Sequence, residues 1–353
     1  MNKFYKIYNE NFISKGVAHA RVNLIGEHTD YTGGYVLPLL LDKKTEIFIS
    51  ISQNKHNVFS DYFNEKVSFD NFDKSKNNHW IDYVKGCLLI IKSKYNLPDH
   101  FFNILICSNI PINRGISSSA AICVSLLKTI NNYYKLKIKN REIALLAQKV
   151  EKEYVGVTGG IMDQMVSSIG FLNKAFFLNC TNLKYEIIDI PKDYLFCLVD
   201  SKVQRSLRES SYNERFRELK KAEKILKPIT LYEATINDLN KKNISNNIIK
   251  KRAIHVISEN KRVLEAKIAL KNENMNYFGQ LMNESHESYS KDFEASNKEV
   301  DKLVIDSLKN GAIGSRLTGG GFGGFVVSLI NINNLQSWKT KMLKLYDKER
   351  FLI

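Results

Sequence analysis

Residues 21–34 read RVNLIGEHTDYTGG, and YVLPLLLD follows at 35–42. Within ten positions stand Arg21, Glu27, His28 and Asp30, with Gly26 among them and Gly33–Gly34 just after. The residues leading in, GVAHARVNLI, and those leading out are apolar and strand-like. Loops held between core strands are where recognition groups are commonly displayed. Alone, His28 would read as an ordinary core or surface histidine, so its neighbours decide what it means.

The chain has 353 residues, more than one hydrophobic core usually serves, so two lobes are expected. Hydrophobic residues make up 44%, enough for a packed globule and too many for a disordered chain. No apolar run approaches the ~18 residues that cross a bilayer. The opening MNKFYKIYNE lacks the apolar centre of a signal peptide. Cys87, Cys107, Cys123, Cys180 and Cys197 are widely spaced, with no C-x-x-C pair. They read as small buried hydrophobes in a reducing compartment, and a cytoplasmic protein without membrane contact is expected. The net charge is +15 but is spread over many segments, so no nucleic-acid partner is expected from it.

Strand-like runs GVAHARVNLI, YVLPLLLD, TEIFISIS and FFNILICS fill the first part of the chain. A helical run AAICVSLLKTINNYY follows, then REIALLAQKVEKEYVG, with Asn140 as its expected cap and Gly156 as its stop. Later come strands KYEIIDIP and YLFCLVD, helical stretches at 209–227, 252–270, 274–290 and 297–310, and the strand GFVVSLI. Strands and helices mix without regular alternation, so the fold class expected is α+β. The expected lobes are 1–180 and 181–353.

Three further segments carry chemistry. NIPINRGISSSAAICVSLL (109–127) places small residues and three serines before a helix, where free N–H groups and the dipole favour a phosphate. One serine would suffice for a plain helix cap. VEKEYVGVTGGIMDQMVSS (150–168) sets Asp163 near a helix start, a position where aspartate usually serves only the dipole; Glu151 alone looks like a solvated charge. RLTGGGFGGFVVSLI (316–330) matches G-x-G-x-x-G, but a strand follows where a dinucleotide site needs a helix. It reads as a tight hairpin turn or as a flexible loop over a ligand.

Together, RVNLIGEHTDY, PINRGISSSAA, GGIMDQ and RLTGGGFGG resemble the GHMP small-molecule kinases, most closely the galactokinase family, in order from about residue 15 to 330. SSYNERFRE, RAIHVISENKRVLEA and LMNESHESYSKDFEAS follow the same pattern. The resemblance implies an N-terminal ribosomal-S5-like lobe and a C-terminal ferredoxin-like lobe. It implies ATP-dependent phosphorylation of D-galactose at its anomeric hydroxyl, the first step of galactose use. Asp163 matches the catalytic base and Arg21 the residue that steadies the transferring phosphate. Glu27, His28, Thr29, Asp30, Gly160 and Tyr212 match the sugar contacts. Asn113, Arg114, Gly115, Ile116, Ser117, Ser118 and Ser119 match the phosphate loop, and Trp80 and Tyr83 the aromatic residues near adenine. Ser119 and Glu151 match the Mg2+ ligands.

Asn113 and Arg114 depart from the glycine and small residue usual there, although asparagine tolerates left-handed backbone. Arg114 reads as touching a phosphate or facing solvent. Gly159 stands where the family often has cysteine. Two other readings stay open: a galactose and ATP sensor without turnover, and a kinase for another sugar such as N-acetylgalactosamine. A monomer acting on small molecules is expected.

Overall fold

The computed structural model describes residues 3–74, 79–203, 208–242 and 244–352. In chain order its first elements are α1 (Lys3–Tyr8), β1 (Ser14–Asn23), β2 (Tyr35–Val36), β3 (Pro38–Ser52), β4 (His56–Ser60), β5 (Glu65–Phe69), α2 (Ile81–Tyr95), β6 (Phe101–Ser108), α3 (Ser118–Tyr134), α4 (Asn140–Lys149) and α5 (Met162–Ile169). The later elements are β7 (Lys174–Asn179), β8 (Tyr185–Asp189), β9 (Tyr194–Asp200), α6 (Arg208–Leu226), α7 (Ile236–Lys241), α8 (Asn247–Lys271), α9 (Met275–Lys291), α10 (Lys298–Lys309), β10 (Gly314–Leu317), β11 (Phe325–Asn331), α11 (Leu335–Leu343) and β12 (Phe351–Leu352).

Packing divides the chain into two units with interleaved segments. Residues 1–21, 40–112 and 117–172 form the first, and 22–39, 113–116 and 173–353 the second. This partition differs from a single division at 180, because the second unit also takes in the 22–39 loop and the 113–116 turn.

In the first unit β3 pairs with β1 and, antiparallel, with β6, placing Ile47 opposite Ile106. β4 lies parallel to β6 and antiparallel to β5. A parallel pair needs a crossover, and β5 with α2 supplies it. The runs YVLPLLLD and TEIFISIS were expected as two strands, yet β3 joins the PLLLD part of the first to the second, because extended backbone carries Lys43 and Lys44 without a turn, while Tyr35–Val36 form β2. α2 was not anticipated. Gly86 at its middle disfavours a helix by propensity, but a Cβ there would come within 2.8 Å of Val150 and 2.9 Å of Tyr154, so the glycine is what lets the neighbouring turn pack. α4 begins at Asn140 itself, preceded by Lys139 in extended backbone with no side-chain cap, so Asn140 is not the cap expected. The helix then widens into a π-type turn over 150–155, closed at Gly156 with φ +88.

In the second unit β7 pairs antiparallel with β2 and β8. A separate four-stranded antiparallel sheet has the order β10-β11-β9-β12. Helices cover it over a core that includes Val199, Leu219, Val256, Phe293, Val326 and Trp338. Strands pair mostly antiparallel and alternate irregularly with helices, as the α+β class requires. No helix among the described residues is long and apolar enough to cross a membrane.

The strand that carries Arg21, β1, meets α3 at Gly16. A Cβ there would lie 2.4 Å from the Ser125 carbonyl oxygen and 2.7 Å from the Thr129 amide nitrogen. Ser125 Oγ also donates to the Gly16 carbonyl at 2.9 Å. Gly16→Ala must therefore push β1 and α3 apart. Denaturant unfolding should show it less stable than wild type by about 1–3 kcal/mol; wild-type stability would mean that the two elements are not in direct backbone contact.

Candidate functional site

Each unit gathers part of the residue set expected from the sequence. In the first unit, β1 presents Arg21 and the first turn of α5 presents Asp163. Arg21 Nε donates to Asp163 Oδ1 at 2.8 Å and Nη2 donates to Oδ2 at 2.8 Å, the two-point geometry that makes Arg–carboxylate pairs strong. The Arg21 side chain is 6% exposed and that of Asp163 27%, so the carboxylate faces open space from a buried cation. Ser117 precedes α3 with left-handed backbone, φ +65, and makes no side-chain cap to its own helix. Its hydroxyl instead donates to Asp163 Oδ2 at 2.5 Å. A plain cap does not account for this serine.

Glu151 lies on the π-type turn and is buried, not solvated as it looked in the sequence. Burial pushes its carboxyl up to about 7, with the nearby Asp163 charge adding to the rise; hydrogen bonds from Ser119 and Gln164 and the Arg21 charge oppose it. Gln164 donates to Glu151 and leaves its own Oε1 buried without a partner. A carboxylate, a hydroxyl and an orphaned amide oxygen form a hard oxygen set of the kind Mg2+ takes. No group of three His, Cys, Asp or Glu side chains among the described residues could hold a metal. A magnesium that keeps most of its coordination for water and phosphate would need no more than the Ser119 and Glu151 oxygens from the protein. Gly160 offers its carbonyl to Gln148 Nε2 at 2.8 Å, and beside it a Cβ on Gly159 would meet nothing within 4 Å. Trp80 stacks on Phe63 with ring centroids 5.9 Å apart and donates from Nε1 to Glu65 at 2.7 Å, while Tyr83 is half-buried in the first turn of α2.

In the second unit the 24–37 loop is tied to itself. Across it the Leu24 amide donates to the Leu37 carbonyl and the Leu37 amide to the Ile25 carbonyl, each at 3.1 Å, and Thr29 Oγ1 reaches the carbonyls of Gly26 at 2.8 Å and Tyr35 at 2.6 Å. Thr29, expected as a sugar contact, is fully buried in this brace. Gly26 has φ +105 and donates its amide to Glu259 at 2.8 Å; a Cβ there would strike the Tyr35 carbonyl at 2.7 Å. Glu27 is 2% exposed and accepts from Asn23, from Thr318 Oγ1 at 3.1 Å and from the Gly319 amide at 2.6 Å. Both ring nitrogens of His28 are engaged, Nδ1 with Tyr31 at 2.8 Å and Nε2 with Tyr289 at 2.9 Å. Tyr212 packs on the His28 ring at 5.2 Å. Asp30 opens a short helical turn and is half-buried.

The glycine segment 318–324 connects the antiparallel neighbours β10 and β11. Gly115 lies against it: a Cβ on Gly319 would come 2.7 Å from the Gly115 carbonyl oxygen. Asn113 is left-handed at φ +57 and Gly115 at +78. Ile116 is buried, Ser118 half-buried. Arg114 neither reaches out alone nor waits in solvent; it pairs with Asp200 at 3.2 Å.

Arg316 was not singled out in the sequence, although it opens the third glycine segment. It is fully buried, with Nη1 3.1 Å from Glu27 and Nη2 3.8 Å from Glu259. Glu259 also takes Arg262 at 2.8 Å and Ser285 at 2.6 Å. Two carboxylates and two guanidinium groups thus balance in the interior. Burial alone would raise the Glu259 carboxyl, but Arg262, Arg316, His255 and the Ser285 hydrogen bond hold it down at about 2.

Comparison with known proteins joins these observations. The family description "GHMP kinases N terminal domain" matches residues 82–171, "GHMP kinases C terminal" matches 266–341, and "Galactokinase galactose-binding signature" matches 2–51. A galactokinase of Clostridium perfringens is 35% identical, covering 96% of this chain and 90% of its own. One from Thermococcus kodakarensis is also 35% identical, over 93% and 92%. The crystal structure of Lactococcus lactis galactokinase complexed with galactose matches with a TM-score of 0.91 at 32% identity, over 98% of this chain and 93% of that one. Methanococcus jannaschii mevalonate kinase, at 23% identity and a TM-score of 0.70, shares the fold. The architecture is the two-lobed GHMP kinase fold, that of small-molecule kinases. Within it, the chain belongs to the galactokinase family.

The charge cluster gives a pH-dependent stability. The folded-state pKa of Glu259 lies below its ordinary 4.5, so its contribution is present above about pH 4.5 and is lost as pH falls toward about 2. That difference corresponds to on the order of 3 kcal/mol. Urea unfolding should find Glu259→Gln much less stable than wild type at pH 6, with the gap narrowing toward pH 3. A gap that stays constant over this range would contradict the assignment.

Proposed function

We propose that this chain transfers the γ-phosphate of ATP to the anomeric hydroxyl of D-galactose, giving galactose 1-phosphate and ADP. The observation that carries the reading is the joint engagement of Asp163 by Arg21 and Ser117 in a chain of this family. A sugar hydroxyl is a poor nucleophile at neutral pH. It has to be oriented, relieved of its proton and brought in line with a phosphate whose charge is neutralised. Asp163 is the proton acceptor in this reading. A carboxylate is a weak base, so rigid placement supplies most of its effect. The buried Arg21 fixes that placement and contributes positive charge toward the transferring phosphoryl group.

The amides and hydroxyls of 113–119 take the nucleotide phosphates. Ser119 and Glu151 hold the Mg2+, which when bound offsets phosphate negative charge. Asp30 and Tyr212 read sugar hydroxyls directly. Glu27 and His28 face the same ligand while also being held by protein groups, which makes them rigid readers. A wrong epimer gives up the sugar's bond to Asp30, and that mismatch gives sharp selection. The match of the 2–51 segment to a galactose-binding signature supports galactose as the sugar. A cytoplasmic setting is supported by five free cysteines, three of them buried.

A coupled ADP-release assay with ATP and Mg2+ over galactose, glucose, N-acetylgalactosamine, talose and arabinose tests the proposal. Turnover selective for galactose is expected. Turnover selective for another sugar would overturn the substrate, and thermal stabilisation by galactose without turnover would make the chain a sensor. Asp30→Ala should raise the KM for galactose by at least about tenfold, the loss of a charged hydrogen bond. An unchanged galactose KM would remove Asp30 from the sugar site.

A further inference from the structure

Arg114 is the part of the phosphate-loop sequence that the proposed chemistry leaves unused. It sits between residues with left-handed backbone, Asn113 at φ +57 and Gly115 at +78, with Ser117 at +65 beyond. Left-handed residues at alternate positions turn successive amides toward one side and make a concave anion site. Such a segment is also easily deformed, because little packing fixes a glycine-bearing turn.

Two contacts within the second unit anchor it. Gly115 packs against Gly319 with no room for a Cβ between them. Arg114 Nη1 donates to Asp200 Oδ1 at 3.2 Å and lies 3.2 Å from Oδ2. Asp200 is itself fixed. Its side chain is 7% exposed, Oδ1 accepts the Lys202 amide at 2.9 Å, and its carbonyl accepts Arg350 Nε at 2.7 Å. It ends β9, where the next residue, Ser201, exchanges bonds with Gly324 at 2.8 and 3.1 Å, so the same strand end also secures the glycine segment.

We propose that Arg114 is a positioning residue of the phosphate loop: its ion pair with Asp200 braces the loop before nucleotide arrives, and that brace, not a contact with phosphate, is its contribution to ATP binding. A guanidinium paired with a buried carboxylate has its charge largely neutralised, which suits it to bracing. A loop ordered in advance gives up less freedom on binding. The inference rests on 113–119 being the nucleotide loop.

The test compares Arg114→Ala, Asp200→Asn and the double variant with wild type. ATP with Mg2+ is the probe, and KM is measured for ATP and for galactose separately. Each single substitution should raise the ATP KM by about five- to tenfold, the worth of one partly buried ion pair. The galactose KM should stay at the wild-type value, and the double variant should be no worse than either single. An ATP KM raised by Arg114→Ala but not by Asp200→Asn would overturn the proposal, because the freed arginine would then be touching phosphate. Additive effects, or no effect of either, would overturn it too. Should Asp200→Asn not fold, hydrogen exchange of nucleotide-free Arg114→Ala decides. Faster exchange at 113–118 than in wild type is expected, and unchanged exchange overturns the brace. Wild-type protein that binds no ATP would bring down the kinase reading itself, whereas wild-type ATP binding with unaffected variants would bring down this inference alone.

Discussion

The two-point contact between Arg21 and Asp163 is the constraint on which the first unit's site depends. It ties the end of β1 to the first turn of α5, and Ser117 adds the start of α3 to the same carboxylate. Three segments far apart in sequence therefore converge on one pair of oxygens. The cation is buried and the anion partly open, so the protein supplies the rigidity and leaves the carboxylate accessible. Gly16, which brings β1 against α3, and Gly86, which admits the π-type turn carrying Glu151, are packing solutions that serve this convergence.

The second unit solves a different problem, holding a polar loop still in an apolar surrounding. Burying Glu27 and Glu259 without partners would be prohibitive. Arg316 and Arg262 neutralise them, and backbone amides of Gly26 and Gly319 complete their hydrogen bonding. The opening segment and the third glycine segment are thus one structure, since Glu27 accepts from the turn that Arg316 leads into. That explains why the polar cluster interrupts two apolar runs: Glu27 and Glu259 are buried beside guanidinium groups that balance their charge.

Much of this was legible in the sequence. The α+β class, most long helices and the strands β1, β6, β9 and β11 follow from residue periodicity, and the four glycine-bearing segments stood out because small residues cluster there for backbone reasons. Asn113 adopts the left-handed backbone its side chain permits. What stayed hidden depends on distant partners. Glu151 looked solvated because a helix periodicity cannot reveal a widened turn that rotates a carboxylate inward. Thr29, expected as a sugar contact, also closes the loop on itself through its hydroxyl. Arg316 gave no signal beyond its place beside glycines, since its two carboxylate partners lie at positions 27 and 259. Arg114 gave none because its partner lies at position 200.

The measurement that tests the central claim most directly is the turnover and galactose affinity of Asp163→Asn, which keeps the side-chain shape and removes the charge. The account predicts a fall in kcat of at least about a hundredfold, the usual worth of a placed acid–base group, with galactose affinity by calorimetry within a few-fold of wild type. A variant that turns over at close to the wild-type rate would contradict it, and would remove Asp163 and its hold by Arg21 from the chemistry.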